Sequence, residues 1–460
     1  MIIQKESSTI YEMNRKRWFA RYLILLTIGI ILVVKIYFML YIIDFTIGFY
    51  SFLTTMILFQ VFLFSYLKFK DPIYETKNES KNETMNINPL ITIVIPVKNE
   101  EGNIENCVQS VINSTYLNKE IIVVNDGSTD NTAKILDQLR NRYSDLLRVL
   151  HLPKNIGKKH AIEKAIEIAN GEFYVFMDSD CNMANDAIKN IANIFLSDKE
   201  IGAITGHGKV RNADQGNMLE KIQDVWFDGQ YRIIKGMESS FSSLTCCSGS
   251  LSAFRREAIQ DHIHEWANDK FLGMEFKFAT DRRLTAFILG EKFENKNKKS
   301  DKQDDNGNEI NLKSYRWKLK YSPSVKVEIG VPQTLKSLIK QQIRWRKSFI
   351  RSIFSTGSIY WQRPLAIAII YYLTVALRLF RPYIIIKSLI ILPLTGDIVS
   401  TIFYIGGTMF TGLMYGIDVR LRKPGYPRWF YRPLMNVIST FIFTWLIIYA
   451  ALTIKNKTWR

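Results

Sequence analysis

The chain has 460 residues, with 61 Lys and Arg against 43 Asp and Glu, a formal charge of +18, and 47% hydrophobic residues. That hydrophobic fraction excludes a disordered chain, and four cysteines in such a length exclude a small disulfide-stapled secreted domain. The cation excess leaves nucleic acid, anionic lipid and anionic ligands open until its position along the chain is read.

Apolar runs come first. Tyr22–Ile43 is interrupted only by Lys35 and Asp44 follows it, while Phe45–Leu67 carries no charge. Each exceeds the roughly 20 residues that a helix needs to cross the hydrocarbon core. Both are too long for the apolar core of a signal peptide, and no small-residue cleavage site follows. Arg15, Lys16, Arg17 and Arg21 precede the pair and Lys68 and Lys70 follow it, so the positive-inside rule predicts a hairpin with both ends cytoplasmic. Residues 1–70 are therefore expected as a membrane hairpin and 71–88 as a polar linker. Cys107, Cys181, Cys246 and Cys247 then belong to a cytosolic domain and stay reduced. No C-x-x-C spacing suggests zinc.

Residues 89–333 read as the soluble domain, with a charged, Asn-rich insert at 294–311 expected to be a flexible loop. Ile91–Pro96, Glu120–Asn125 and Glu172–Met177 are short β-branched or aromatic runs, separated by helical patterns such as Asn103–Ile112 and Lys159–Ala169. This alternation predicts an α/β fold with a mostly parallel sheet, whose ligand sits beyond the strand carboxyl ends. Polar groups gather at those ends: Asn99 and Glu100, then Asp126, then Asp178 and Asp180. One acid after a strand is an ordinary surface turn; three in register imply a site. Asp178-Ser179-Asp180 suits a divalent ion that keeps waters and binds substrate phosphates. Lys158 opens a helix, where backbone N–H groups and a cation favour phosphate. No P-loop and no G-x-G-x-x-G is present.

Further along, Cys246-Cys247-Ser248-Gly249-Ser250 is a small-residue turn with hydroxyl donors suited to a sugar, against the plainer reading of a loop entering a strand. Asp281 stands at a helix start, where an N-cap is the default. Gln341, Arg344 and Trp345 lie on a basic amphipathic segment, residues 334–363, that could clamp phosphate, stack on a sugar or lie on lipid headgroups. Apolar stretches at Pro364–Leu394, Ile398–Ile417 and Leu434–Ile454 make 364–454 a second membrane region, and 455–460 a cytosolic tail. Cationic loops on both sides of Leu434–Ile454 favour a re-entrant or interfacial segment there. Arg378, Arg381 and Lys387, within or near apolar spans, are candidates for function, with interface snorkelling as the alternative. The five histidines have no metal spacing and read as surface or structural.

The motifs Ile95-Pro96-Val97-Lys98-Asn99-Glu100, Val124-Asn125-Asp126-Gly127-Ser128 and Asp178-Ser179-Asp180 resemble those that open inverting family-2 glycosyltransferases. With the Cys246–Ser252 turn, Asp281-Arg282 and Q-x-x-R-W at Gln341, Arg344 and Trp345, the chain is similar to the processive branch: hyaluronan, chitin and cellulose synthases, hyaluronan synthases above all. The resemblance implies a nucleotide-diphospho-sugar transferase fold inserted between transmembrane helices. It implies that Glu100, Asp126, Lys158 and Asp178 hold the nucleotide, with Gln341, Arg344 and Trp345, and that Asp180 binds Mg²⁺ or Mn²⁺. Asp281 matches the catalytic base; Cys246, Ser248, Gly249 and Trp345 match the acceptor site. The tail through Trp459 resembles a gating loop. Asn125, Ser250 and Thr280 depart from the usual Asp, Pro and acidic residue, and Trp459 meets Arg460 without the intervening residues of the usual loop.

The implied partners are UDP-sugars, a growing polysaccharide and membrane lipids. UDP-GlcNAc with UDP-glucuronate is the first reading, UDP-GlcNAc alone for chitin or a chitin oligosaccharide the second, and a non-enzymatic lipid binder the third. Nucleic acid is not expected, because Pro332–Arg460 holds 18 Lys and Arg against Asp397 and Asp418. The charge belongs to the membrane-proximal third.

Overall fold

A computed structural model gives the fold and describes residues 2–74, 88–211, 213–294 and 314–456. Most of the linker 71–88, most of the insert 294–311 and Trp459 lie outside the described residues.

Twelve strands are described: β1 (Ile91–Val97), β2 (Lys119–Asn125), β3 (Leu147–His151), β4 (Phe173–Phe176), β5 (Asn182–Met183), β6 (Ile201–Val210), β7 (Ser252–Arg255), β8 (Lys270–Phe271), β9 (Met274–Glu275), β10 (Lys292–Glu294), β11 (Ser314–Arg316) and β12 (Lys318–Ile329). Eight form one sheet in the order β3-β2-β1-β4-β7-β6-β12-β5, while β8-β9 and β10-β11 are separate two-stranded ribbons. Pairing is parallel from β3 through β4 and again between β6 and β12; β7 runs antiparallel to both its neighbours. The mostly parallel sheet expected from the alternating pattern is present.

Period-2 side-chain alternation explains why β1 and β2 are buried throughout. Ile91, Ile93, Ile95, Val97, Ile121 and Val123 fill the core on one face. Val94, Ile122 and Val124 fill the other, where the core continues into Ile28, Leu58, Phe62 and Tyr66 of the N-terminal helices and Met414 and Tyr415 near the C-terminus. The soluble domain and the apolar helices thus share one core.

Among the described residues three helices are long and apolar enough to cross a membrane, Trp18–Tyr41, Phe45–Tyr74 and Ile398–Arg422, and they mark a membrane-associated chain. A further pair, Tyr431–Ile442 and Leu446–Leu452, is bent by 44° at its break. Lys35 is 5% exposed, and its ammonium donates to Ser51 Oγ at 2.7 Å and Thr55 Oγ1 at 2.6 Å on the neighbouring helix. Lys387 pairs with Asp44 at 2.8 Å and donates to Thr46 Oγ1. It ties the end of the first hairpin to the C-terminal helices, so its part among the intramembrane cations is structural.

Candidate active site

The strand ends deliver the expected groups to one place. Val97 and Asn125 are in register at the carboxyl ends of β1 and β2. Just beyond, Asn99 adopts φ 53° and its Oδ1 accepts from Thr129 N at 2.8 Å, joining the two loops. Glu100 accepts from Asn103 Nδ2 at 2.9 Å, and its own backbone N–H donates to Thr132 Oγ1. Asp126 accepts from the backbone N–H groups of Ile156 at 2.7 Å and Gly157 at 3.0 Å. Gly127 has φ +65°, and a Cβ there would stand 2.7 Å from Asn155 N, so only glycine lets this loop come so close. Asp126 thereby shapes the turn that delivers Lys158 to the first position of its helix, Lys158–Glu167.

Lys158 Nζ pairs with Asp178, which follows β4. Asp178 N donates to Gly249 O at 3.1 Å, and Gly249 N donates to Asp281 Oδ2 at 2.9 Å. A Cβ on Gly249 would meet Asp281 Oδ1 at 2.9 Å and Lys158 Nζ at 3.0 Å. The small-residue turn is therefore what lets Lys158, Asp178 and Asp281 converge; any side chain would wedge them apart.

Asp281 differs from the N-cap reading. The helix spans Thr280–Gly290 and its N-cap is Ala279, held at φ 63° with no side-chain cap bond. Asp281, the second helical residue, gives its carboxylate to Gly249 rather than to its own helix. Trp266 Nε1 donates to Thr280 O at 2.9 Å and Thr285 Oγ1 donates to Asp281 O at 2.7 Å, fixing that turn. A left-handed non-glycine residue stores strain, and here it lies two residues before the acid.

Electrostatics follow from this convergence. Burial raises the Asp281 carboxyl above its ordinary range, Lys158 opposes that and Asp178 adds to it. Burial, and then the neighbouring Asp178, also raise Asp180. Burial works against the charge of Lys158, but Asp178 and Asp281 outweigh it and hold the ammonium above the usual lysine range. Among the described residues no group of three or more His, Cys, Asp or Glu is placed to hold a metal ion. The Asp178–Asp180 pair, two carboxylates on one turn, nonetheless fits a cation that completes its shell with water and diphosphate oxygens.

The helix Leu335–Ser355 starts from a reciprocal cap between Thr334 and Ser337 and carries Gln341, Arg344 and Trp345. Trp345 stacks on Trp226 at 5.8 Å between ring centres and meets Phe227 edge-on at 6.1 Å. Arg344 feels Asp178 and Asp180, which oppose the lowering that burial imposes on it. Burial lowers Arg346 to about 10, and the charges of Arg381 and Arg282 act in the same direction.

One cavity of about 1440 Å³ receives Glu100, Asp126, Lys158, Asp178, Asp180, Cys246, Ser248, Gly249, Asp281, Gln341, Arg344 and Trp345, all the expected site residues that the structure describes. It continues between the apolar helices past Tyr50, Ser51, Arg378, Arg381, Tyr404 and Ile447. Motif reading missed Tyr231, Lys235 and Glu238, which also line it. Their signal lies in tertiary placement: Lys235 caps Cys246 O, and Glu238 accepts from Thr245 Oγ1 at 2.7 Å. Cys246, by contrast, keeps a thiol that burial raises, in keeping with a packing or contact role.

Residues 92–263 match the model of the family described as glycosyl transferase family 2. The chain carries a family-2 glycosyltransferase domain. The glycosyltransferase is 27% identical to the hyaluronan synthase of Streptococcus pyogenes over 376 residues, 80% of this chain and 82% of that one. It is 28% identical to the poly-beta-1,6-N-acetyl-D-glucosamine synthase of Staphylococcus aureus over 283 residues, 60% of each. Its fold is shared with a mannosyltransferase from Pyrobaculum calidifontis solved with GDP-Man and Mn²⁺, at a TM-score of 0.51 and 18% identity, covering 89% of this chain and 99% of that one.

Proposed function

We propose that the enzyme is a membrane-embedded, inverting polysaccharide synthase that builds a β-linked chain from UDP-activated sugars. The observation that carries this reading is the convergence of Lys158, Asp178 and Asp281 around Gly249 at one end of a cavity that continues between membrane helices. Glu100 and Asp126 hold the uridine. Asp281, a carboxylate with a raised pKa at a point of convergence, takes the proton of an acceptor hydroxyl, which attacks the anomeric carbon from the face opposite UDP. Lys158 and Arg344 steady the departing diphosphate. A Mg²⁺ or Mn²⁺ ion held by Asp180 beside Asp178 supplies, when bound, further neutralisation of that diphosphate. Trp345, in its aromatic stack, offers a face to the acceptor sugar, and Cys246, Ser248 and Gly249 line the same acceptor end. Trp459 remains the proposed gating residue of the tail. The cationic flanks of the helices support a multi-pass chain with its catalytic domain in the cytoplasm.

The product is proposed to be hyaluronan-like, from UDP-GlcNAc and UDP-glucuronate. Arg282, Arg346, Arg378 and Arg381 all line the cavity, and none has an ion pair among the described residues. Arg381 Nε donates to the Tyr50 hydroxyl at 3.2 Å, and the Arg378 guanidinium lies 5.3 Å from the centre of the Phe349 ring. Such a lining favours carboxylate-bearing sugars over a neutral chain. Synthesis of chitin or another GlcNAc-only polymer is the second reading, favoured by the likeness to the poly-N-acetylglucosamine synthase. Purified enzyme given Mg²⁺ or Mn²⁺ and each UDP-sugar singly and paired decides between them. UDP release that needs both sugars supports the first, release with UDP-GlcNAc alone supports the second, and none under any pairing removes both.

A further inference from the structure

Outside the cavity, one carboxylate gathers three cations from distant parts of the chain. Asp269 has a side chain 3% exposed; Arg351 Nη2 lies 2.7 Å and Arg283 Nε 3.0 Å from its Oδ1, and Lys159 Nζ 3.6 Å from its Oδ2. Lys159 and Arg351 are nearly as buried, at 6% and 10%, while Arg283 at 18% also reaches Glu265 on the surface. Each cation neighbours a site residue in sequence. Lys159 follows Lys158, Arg283 lies two residues past Asp281 on its short helix, and Arg351 lies seven residues, about two turns, past Arg344 on the same helix.

These three elements are far apart in the chain, so no local structure fixes their mutual placement. Asp269 also begins the loop that ends at the strained Ala279: its carbonyl accepts from Phe276 N at 3.0 Å, and Lys159 Nζ donates to Phe276 O at 3.0 Å. For stability alone, apolar residues of similar size would serve such a buried cluster as well. What the charge-assisted bonds of Arg283 and Arg351 to Oδ1 add is directional geometry, with the Lys159 ammonium attracted at 3.6 Å on the other oxygen.

We propose, resting on the transfer reaction assigned above, that Asp269 is a positioning residue: through Lys159, Arg283 and Arg351 it holds the elements bearing Lys158, Asp281 and Arg344 in one fixed mutual placement. It touches no reacting group. Its loss displaces the transfer geometry while leaving the nucleotide pocket beyond β1 and β2 intact.

The test uses the full chain, purified in detergent or nanodiscs, with three forms compared: wild type, Asp269→Asn, and Asp269→Asn combined with Lys159→Met and Arg351→Met. Read are kcat and KM with UDP-sugars, UDP affinity by calorimetry in Mg²⁺, and Tm. The single variant lowers Tm and the triple variant recovers it, because the two most buried stranded cations are gone and Arg283 keeps Glu265. Both lose about 100-fold in kcat, with KM and UDP affinity within about threefold of wild type. Recovery of kcat together with Tm in the triple variant makes Asp269 merely structural and overturns the proposal, as does an unchanged kcat in the single variant or loss of UDP binding in the triple. Wild type that transfers from no UDP-sugar instead overturns the assigned reaction, a result visible before any variant is made.

Discussion

The two ends of the cavity are built from opposite materials. Beyond the strands lie five acids, Glu100, Asp126, Asp178 and Asp180 after strand ends and Asp281 on a helix start; the Asn103 amide meets Glu100, backbone N–H groups meet Asp126 and Asp281, and Lys158 meets Asp178. Toward the helices, Arg282, Arg346, Arg378 and Arg381 are cations without carboxylate partners among the described residues. An acidic end with one embedded lysine suits a cation-assisted diphosphate and a proton acceptor; a basic end suits what leaves the site. The contrast teaches that the +18 net charge is an arrangement along a path rather than a property of a surface.

The comparison can be broken most severely at its meeting point. Asp281→Asn removes the proton acceptor and is expected to lower turnover by about 10²–10⁴-fold while UDP still binds; retained turnover would remove Asp281 from the mechanism. Lys158→Met should cost about 10²-fold in kcat/KM, the order found when one preorganised electrostatic contact is lost. The pH profile sharpens the same point. Burial raises Asp281, so the acid limb of activity lies above the ordinary carboxylate range of about 4. Activity falls as pH drops through that raised value, because the proton acceptor becomes protonated. Lys158 lowers Asp281, so in Lys158→Met the residual activity should show a limb moved to higher pH; a limb moved down would break the pairing.

At the basic end, Arg378→Gln with Arg381→Gln is expected to shorten the polymer and cut incorporation from UDP-glucuronate about tenfold, scored by radiolabel and gel filtration. Equal loss with UDP-GlcNAc alone would mean that the arginines do not distinguish sugars. Smallest is Trp345→Ala, which forfeits the stack on Trp226 and should raise the acceptor KM several-fold, in line with about 0.5–1.5 kcal/mol for an aromatic pair.

The parts visible in the sequence were those with a local signature. Ile91–Val97 and Lys119–Asn125 announce themselves by β-branched runs, and the acids after them by position, so the sheet and its rim were legible. β3, β6 and β12 were not recognised: Leu147–His151 is short and half polar, and Ile201–Val210 holds three glycines within an otherwise apolar pattern. For Asp281 the N-cap expectation fails, since the backbone N–H that meets its carboxylate, that of Gly249, lies 32 residues away. Asp269 carried no motif at all. Its meaning depends on cations contributed at positions 159, 283 and 351, which only the folded chain brings within reach.

The unbroken cavity has a pharmacological consequence. In the proposed reaction, a molecule lodged among Tyr50, Arg381 and Tyr404 would lie in the same cavity as the acceptor, at the end away from Glu100 and Asp126. Such a ligand would stop the enzyme without competing with UDP-sugar, so raising the donor concentration would not relieve it. On that proposal the two ends of the cavity would be inhibited separately, and kinetics alone would tell which one is occupied.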